Sequence, residues 1–270
     1  MSQEQDDERE RQDRWLAEGI RTDIPHPARI YNYHLGGKDN FAADRKMADF
    51  TRQKMPQIVD TARSNRQFQG RVVRFLHDSG VRQFLDIGTG LPISPNTHEI
   101  ATGARVVYVD NDPVVFLHAE ALMADNKTTK VIRADLRDVD EVLTEAGKLL
   151  DFSEPIGLLF IACLHNIPDA DDPAGIVAKY LAPVAPGSYL VISHLTDEFA
   201  PEQVHEISAE NARRGSTFLG RPKEAITAMF NGLELIDPGV TRCPYWRPDG
   251  GQPPHNADRV WGYCGVARTS

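Results

Sequence analysis

The stretch Phe84–Gly90, which reads Phe-Leu-Asp-Ile-Gly-Thr-Gly, constrains this chain more than any other. It is an apolar run that ends in an acid and two glycines. Such a strand must turn sharply at its carboxyl end, and a backbone without Cβ atoms lets a ligand approach closely. The stretch therefore predicts a cofactor loop that follows a buried parallel strand of an α/β protein.

Strands and helices are predicted to alternate along the rest of the chain. Strand patterns follow at 105–110, 131–135, 156–162 and 187–193, and helical patterns occupy 60–79, 114–126, 138–150, 173–181, 201–214 and 221–231. Two last strand-like runs, 233–240 and 260–267, flank a Pro- and Gly-rich connection, which predicts a terminal antiparallel hairpin. We therefore predict a mostly parallel sheet with helices on both faces.

Composition narrows the class of protein. The 270 residues suffice for one large domain with an appended N-terminal segment, and 41% apolar residues are typical of a soluble globular protein. The net charge of -9 argues against a nucleic-acid or anionic-membrane partner, because phosphate groups require a basic face. Cys163, Cys243 and Cys264 lie too far apart for a disulfide framework or a zinc spacing. We predict no metal site and a reduced, cytoplasmic protein.

The N-terminal quarter differs from the rest. We predict three parts: a disordered tail at 1–14, a helical arm or lid at 15–60, and the main domain at 61–270. A short helix is expected near Asp13, with Trp15, Leu16 and Ile20 on one side. The segment 26–44 mixes aromatic, amide and charged residues without a period of 2 or 3.6. It is either a helix–turn–helix arm that docks on the domain or a lid that covers a ligand, and both can hold.

Three features indicate which cofactor the loop holds. Asp86 precedes the glycines, and Leu91-Pro92 follows Gly90, so the third glycine of a dinucleotide fingerprint is missing. A pyrophosphate beside Asp86 would be repelled, whereas the cationic S-adenosylmethionine would be attracted. Asp110 and Asp135 end the second and third predicted strands, where they can accept hydrogen bonds from ribose hydroxyls and from the adenine amino group.

These residues resemble the class I S-adenosylmethionine-dependent methyltransferases over 81–195. More narrowly, the segments 26–41, 84–92 and 108–113 resemble an actinobacterial "S-adenosyl methyltransferase" family, once catalogued as a domain of unknown function. The resemblance implies a Rossmann-like, mostly parallel seven-stranded sheet, S-adenosyl-L-methionine as cofactor and S-adenosyl-L-homocysteine as product. The predicted cofactor-binding residues are Asp86, Gly88, Thr89, Gly90, Asp110, Asn111, Asp135, Leu136 and Ala162.

The acceptor side is predicted from the fourth and fifth strands and from the arm. Cys163–Asp169 resembles the Leu-His-His-Ile-Pro-Asp motif of small-molecule methyltransferases, with Asn166 in place of the second histidine. The catalytic candidates are His165, His194 and Tyr33, although a histidine there is often only a structural hydrogen-bonding group. The predicted substrate or lid residues are Tyr31, Asn32, His34, Gly37 and Asp39.

The sequence thus predicts an enzyme that moves a methyl group from S-adenosylmethionine to the nitrogen or oxygen of a small molecule. Two alternatives remain: a protein that binds S-adenosylmethionine without turnover, as a sensor or scaffold, and an NAD-dependent oxidoreductase. We expect no nucleic-acid or membrane partner, and a homodimer is compatible with the sequence.

Overall fold

The structure is a computed structural model that describes residues 19–123 and 126–270. The predicted disordered tail at 1–14 lies outside the described residues. Trp15 and Leu16, which were predicted on a short helix near Asp13, also lie outside them. Ile20, which was expected on that helix, lies in an irregular segment. It is buried in a small apolar cluster with Leu91 and Val115. The N-terminal segment therefore attaches beside the loop that follows the first strand.

The helices frame the sheet on both sides. They are α1 (Pro27–His34), α2 (Ala42–Lys54), α3 (Ile58–Asp78), α4 (Thr97–Ile100), α5 (Pro113–Met123), α6 (Val139–Ala146), α7 (Pro173–Leu181), α8 (Pro201–Arg213) and α9 (Lys223–Ala228). The predicted helices at 138–150 and 221–231 are shorter than expected. Gly147 caps the first of them, and Pro222 immediately precedes the second. Within the described ranges, no helix has the length and apolarity needed to cross a membrane.

The strands form one sheet. They are β1 (Gln83–Ile87), β2 (Arg105–Asp110), β3 (Thr129–Arg133), β4 (Gly157–Ile161), β5 (Tyr189–Leu195), β6 (Glu234–Leu235), β7 (Thr241–Arg242) and β8 (Gly262–Arg268). Their order is β3-β2-β1-β4-β5-β8-β6, with β7 also paired to β8. The first five strands in this order are parallel, and β8 is antiparallel to its neighbours. This is the Rossmann-like arrangement that the sequence predicted.

The predicted count of seven strands is wrong, because the part of the chain that the structure describes contributes eight strands to the sheet. The extra strand comes from the outer edge, where β6 and β7 lie one after the other along β8. β6 pairs with Ala267 and Arg268, and β7 pairs with Tyr263 and Cys264. Pro238 lies between the two short strands and has no N–H group to donate to a ladder, so the edge is interrupted there.

The topology places a ligand site at the carboxyl edge of the sheet. The chain runs outward from β1 through β2 to β3, and then returns to the other side of β1 as β4. The loops that follow β1 and β4 therefore separate at this reversal, which is where open α/β sheets bind ligands. The most apolar run of the sequence is β4, and it is buried along its whole length in the middle of the sheet, as predicted.

Two apolar cores cover the two faces of the sheet. On one face, Phe84 and Val106 pack with Phe68 and Leu76 of α3. On the other face, a second cluster joins Leu85, Val107, Leu158 and Ile192 to Val142 and Val177 of the surrounding helices. Because side chains alternate along a strand, Asp86 faces the same side as Phe84, toward α3. The acid of the glycine loop is therefore held between the sheet and a helix.

The segment predicted as an arm or lid contains two helices. α1 packs against α2 and α3, and α2 packs against α8. The sequence showed no helical period over α1 because the buried face of this helix is polar, with Arg29, Asn32 and His34 as its buried residues. A hydrophobic pattern cannot reveal a helix of this kind.

Candidate functional site

The glycine loop lies against the carboxyl ends of β2 and β4. Gly88 and Gly90 have φ values of 66° and 69°, a conformation that residues with a Cβ rarely adopt. The N–H groups of Gly88 and Thr89 donate to the carbonyl oxygen of Val109 over 2.8 and 3.1 Å. A Cβ built on Gly88 would lie 2.4 Å from the Cβ of Cys163. The loop therefore requires glycine at 88 for both conformation and space.

Asp86 is buried beneath this loop. Its Oδ2 accepts hydrogen bonds from Thr97 Oγ1 over 2.7 Å and from Gln69 Nε2 over 3.3 Å. Burial raises the pKa of Asp86 to about 6, and the hydrogen bond from Thr97 opposes this shift only in part. The carboxyl group consequently links α3, β1 and α4 while it lines the cavity described below.

Asp110 ends β2 and holds the glycine loop. Its Oδ2 accepts from the N–H of Gly90 over 2.9 Å, and its Oδ1 accepts from the N–H of Asp112 over 3.0 Å. Burial raises the pKa of Asp110, and the neighbouring His26 acts in the opposite direction. Asp112 in turn accepts from the N–H of Val114 and caps α5. Asp112 therefore caps the helix, and Asp110 lines the cavity.

Asp135 follows β3 but does not line the cavity. Arg137 donates to both of its carboxylate oxygens, over 2.9 and 2.7 Å, and Asn111 Nδ2 donates to it over 3.3 Å. These hydrogen bonds, that from Arg137 above all, lower the pKa of Asp135. Asn111, Leu136 and Arg137 line the cavity at this end.

A buried charge network attaches the arm at the same edge. His26 Nδ1 lies 3.0 Å from Asp112 Oδ2, and His26 Nε2 lies 3.2 Å from Asn111 Oδ1. Arg29 Nε lies 3.4 Å from both Asp112 and Asp44. Burial acts to lower the pKa of His26, but the Asp112 carboxylate outweighs it and the pKa is raised. The arm therefore contacts the acids after β2 directly.

A chain of hydrogen bonds crosses from β4 to the arm. Ala162, at the end of β4, has a φ of 53° and donates its N–H to Ser193 Oγ over 3.0 Å. Ser193 Oγ donates to Asn65 Oδ1 over 2.5 Å, and Asn65 Nδ2 donates to Tyr31 Oη over 2.9 Å. Tyr31 then donates to the carbonyl oxygen of Ala62. The backbone N–H of Ala162 is thereby connected to α1 through the side chains of Ser193, Asn65 and Tyr31.

The loop after β4 presents two buried polar atoms that have no hydrogen-bond partner among the described residues, His165 Nδ1 and Asn166 Oδ1. Burial, together with the charge of Arg221, lowers the pKa of His165 to about 4. The ring of His165 meets the ring of Phe218 edge to face, at 5.4 Å between centroids. Both residues with unpaired atoms line the cavity, and both atoms can accept a hydrogen bond from a ligand.

His194, at the end of β5, is fully engaged. Its Nδ1 donates to the carbonyl oxygen of Leu195 over 2.6 Å, and its Nε2 accepts from Arg221 over 2.8 Å. Arg221 also donates to Asp169 and to the carbonyl oxygens of Leu164 and Ile167, and so fixes the loop after β4. Burial lowers the pKa of His194 well below its ordinary value. His194 is therefore a neutral, buried hydrogen-bonding group.

One cavity of about 490 Å³ joins these parts. Of the residues predicted from the sequence, it is lined by Asp86, Gly88, Thr89, Gly90, Asp110, Asn111, Leu136, Ala162, His165, His194, Tyr31, Asn32 and His34. The lining does not include Asp135, Tyr33, Gly37 or Asp39. The ring of Tyr33 stacks on the guanidinium of Arg52, and Asp39 is exposed. A Cβ on Gly37 would overlap the side chain of Asn32, so Gly37 leaves room for a residue that lines the cavity.

Sequence reasoning missed the contribution of α3. Thr61, Asn65 and Gln69 all line the cavity and are buried. They are spaced i, i+4 and i+8, so they form one polar stripe along a helix that otherwise buries apolar residues. The i, i+4, i+8 spacing of these residues can be read from the sequence, but their burial, which indicates a ligand-facing surface, is seen only in the structure.

Comparisons with known proteins agree with this geometry. A family model described as S-adenosyl methyltransferase matches residues 13–270. A crystal structure of a DUF574 family protein from Streptomyces avermitilis shares 38% identity, with a TM-score of 0.86, over 93% of this chain and 100% of that one. A candidate methyltransferase from Thermobifida fusca shares 37% identity, with a TM-score of 0.86, over 93% of this chain and 97% of the other. None of the curated proteins matches the sequence.

Proposed function

The chain belongs to the S-adenosyl methyltransferase family, and on that premise we propose that it methylates a small molecule at nitrogen or oxygen. The enzyme is an S-adenosylmethionine-dependent methyltransferase, and the family match favours this reading over the sensor and the NAD-dependent oxidoreductase. The observation that carries the proposal is the single cavity in which the Gly88–Gly90 loop and Asp110 meet the unpaired acceptor atoms of His165 and Asn166.

The residues at the β1 and β2 ends fit the cofactor. Asp110 uses each carboxylate oxygen once, for Gly90 and for Asp112, and each oxygen retains a lone pair for a ribose hydroxyl. Nothing lies within 4 Å of the position that a Cβ of Gly90 would take, so the backbone there is open to close approach. We propose Asp86, Thr89, Asn111, Leu136 and Ala162 as the remaining contacts. Asp135 belongs to this set through Asn111, to which it is hydrogen-bonded.

S-adenosylmethionine, when bound, supplies an electrophilic methyl group. We assign His165 the role of accepting the proton that the acceptor molecule loses. Its Nδ1 is buried in the cavity wall, and its low pKa keeps the ring neutral near pH 7. A methylated hydroxyl oxygen that still carries its proton is a strong acid, so a base of low pKa is sufficient for an O–H acceptor.

We assign supporting roles to the other catalytic candidates. His194 positions the β4 loop through Arg221, because both of its ring nitrogens already have partners. Tyr33 holds Arg52 by ring stacking, and Arg52 donates to His34 of the cavity wall. The segment 15–60 acts as a lid in this proposal, with Tyr31, Asn32 and His34 facing the acceptor and Gly37 and Asp39 in the loop behind them.

Two further features belong to the proposal. Cys163, Cys243 and Cys264 are unbridged, which supports a reduced, cytoplasmic protein.

α5 exposes Leu117 and Leu122, which are 43% and 68% accessible and could serve a homodimer. Sedimentation velocity tests the dimer.

The test of the function has two stages. S-adenosylhomocysteine is titrated into the protein by calorimetry, and methyl transfer from labelled S-adenosylmethionine to a small-molecule library is then counted. His165→Gln should lower kcat at least about 100-fold and leave the affinity for S-adenosylhomocysteine unchanged. His255→Gln, at an exposed histidine, is the control. Binding without transfer to any compound would favour the sensor, and equal turnover would remove His165 as the base.

A further inference from the structure

We infer that the methyl acceptor is an uncharged molecule that presents an O–H or N–H donor to His165 Nδ1 and Asn166 Oδ1. This inference rests on the proposed function and adds the chemical class of its substrate. It follows from where the formal charges of the cavity wall lie, and from which polar atoms of the wall have no partner.

The charged side chains of the wall are confined to the cofactor end. They are Arg66, Asp86, Asp110 and Arg137. Asp86 and Asp110 belong to the ends of β1 and β2, and Arg137 pairs with Asp135 after β3. The guanidinium of Arg66 donates to Gln69 Oε1 and to the carbonyl oxygens of Ile93 and Pro95, so it is directed toward the loop after β1.

The wall beyond β4 contains no Asp, Glu, Lys or Arg among the described residues. It is formed by polar but uncharged groups and by apolar ones, namely Tyr31, Asn32, His34, Thr51, Ile58, Thr61, Ala62, Asn65, His165, Asn166, Pro168, His194, Leu195, Asn211, Gly215, Ser216, Thr217, Phe218, Cys243 and Gly262. We call this surface the neutral wall. The histidines are its only side chains that could acquire a charge near neutral pH.

The surroundings of these histidines keep them neutral, through hydrogen bonds at His194 and His34 and through burial at all of them. His194 accepts from Arg221 through Nε2 and donates through Nδ1, so a second ring proton would break the bond to the guanidinium. His34 Nδ1 accepts from Arg52 Nε over 3.3 Å, which likewise requires an unprotonated nitrogen. Burial, with the charge of Arg52, lowers the pKa of His34 to about 4, and His165 beside Arg221 behaves in the same way.

An ionic acceptor would be unfavourable against this wall. A charged group that leaves water needs a partner of opposite charge or several hydrogen bonds, and the neutral wall has no charged side chain of its own. The guanidinium groups behind it already have partners: Arg221 is bonded to Asp169 and His194, and Arg52 is bonded to His34 and to the carbonyl oxygen of Tyr33.

Neither His165 Nδ1 nor Asn166 Oδ1 has a partner among the described residues. Asn166 Oδ1 accepts hydrogen bonds, and His165 Nδ1 accepts them in the tautomer that carries its proton on Nε2, which its proposed role as a base requires. A ligand satisfies them only by donating, as a hydroxyl group or a ring N–H does. The edge of Phe218 against His165 borders the same place with an apolar surface.

The experiment compares matched acceptor probes in the presence of saturating S-adenosylhomocysteine. One triplet is 2-naphthol, 6-hydroxy-2-naphthoate and 6-(aminomethyl)-2-naphthol, and equivalent triplets on indole and benzimidazole rings complete the set. Binding is measured by saturation-transfer NMR and by competition. We expect the neutral members to bind at least tenfold more tightly than their charged partners. Equal or tighter binding by a charged member overturns the inference, as does a set in which no neutral member binds.

Two variants at one position test the wall itself. Asn166→Asp keeps the shape but adds a carboxylate, and should raise the affinity for the aminomethyl probes at least tenfold. Asn166→Leu keeps a similar volume but removes the acceptor atom, and should weaken the neutral probes at least fivefold. Melting temperatures establish that both variants fold. Unchanged selectivity in both would overturn the inference, whereas loss of S-adenosylhomocysteine binding by the unaltered enzyme would instead refute the proposed function.

Discussion

The N–H of Gly90 donates to Oδ2 of Asp110 over 2.9 Å, so the glycine loop after β1 is tied to the acid that ends β2. The same acid accepts from Asp112, which caps α5. The carboxylate proposed to bind the ribose therefore also holds Gly90 of the glycine loop in place. A substitution of Asp110 should therefore lower the affinity for the cofactor more than it lowers the stability of the fold.

Asp110→Asn should weaken S-adenosylhomocysteine binding about 10- to 150-fold. The substitution replaces a charged acceptor by an amide, and a hydrogen bond to a charged group contributes roughly 1.5–3 kcal/mol. Calorimetry measures the change. Asp140→Asn, at an exposed residue of α6, should bind like the unaltered enzyme. An Asp110→Asn protein of normal affinity would remove this residue from the cofactor site.

Gly88→Ala should destabilise the protein more than Gly90→Ala. Both positions have positive φ, which costs a residue with a Cβ about 1–2 kcal/mol. At Gly88 the new Cβ also meets Cys163 at 2.4 Å, whereas at Gly90 nothing lies within 4 Å. Overpacking adds about 1–3 kcal/mol. Urea denaturation gives both free energies of unfolding, and equal values would show that the loop moves away from Cys163 without strain.

The hydrogen bonds in the chain from Ala162 to the arm should contribute cooperatively to the free energy of unfolding. Asn65→Ala leaves Ser193 and Tyr31 without their partner, and should cost about 1–3 kcal/mol of unfolding free energy. Tyr31→Phe should cost about 1 kcal/mol, and the double variant should cost less than the sum of the two. Tyr33→Phe, which keeps the ring that stacks on Arg52, is the control. Strict additivity would contradict the chain.

Asp86→Asn should change the pH dependence of stability. Burial raises the folded-state pKa of Asp86 from 3.8 to about 6, so the folded protein holds this proton more tightly than the unfolded chain does. The contribution of Asp86 to stability is therefore largest below about pH 4, falls between about pH 4 and 6, and stays low above that.

The difference in unfolding free energy between Asp86→Asn and the unaltered protein should consequently grow over that interval, by about 3 kcal/mol. Denaturant titrations from pH 4 to 8 measure it. Asp78→Asn, at the exposed end of α3, should show no such trend. A difference that does not vary with pH would mean that Asp86 is no harder to ionise in the folded protein than in the unfolded one.

The sheet was predictable because its strands carry strong local signals. Continuous apolarity marks β4, and each of the first three strand predictions ended in an acid. The break between β6 and β7 was not predicted, because both short strands are exposed or half-buried and carry little hydrophobic pattern. Edge strands depend on their neighbour more than on their own residues.

The sequence predicted only the part of the candidate site that lies at the ends of the strands. The predictions located the loops after β1, β2 and β4 from their glycines, acids and histidine. They did not include Asn65 or Gln69, because a polar residue on a helix is usually assigned to solvent. They also treated His165 and His194 alike, whereas Arg221, distant in sequence, engages His194 and leaves the Nδ1 of His165 unpaired. Only tertiary contacts distinguish the two.

Asp44 connects the two helices of the arm. One carboxylate oxygen accepts from the N–H of His26 at the start of α1, and the other accepts from the N–H of Phe41 at the start of α2. The residues that precede both helices are thereby hydrogen-bonded to the same buried acid. Any movement of the arm that preserves both hydrogen bonds therefore moves α1 and α2 together, and the chain connects this pair of helices to α3 through residues 55–57.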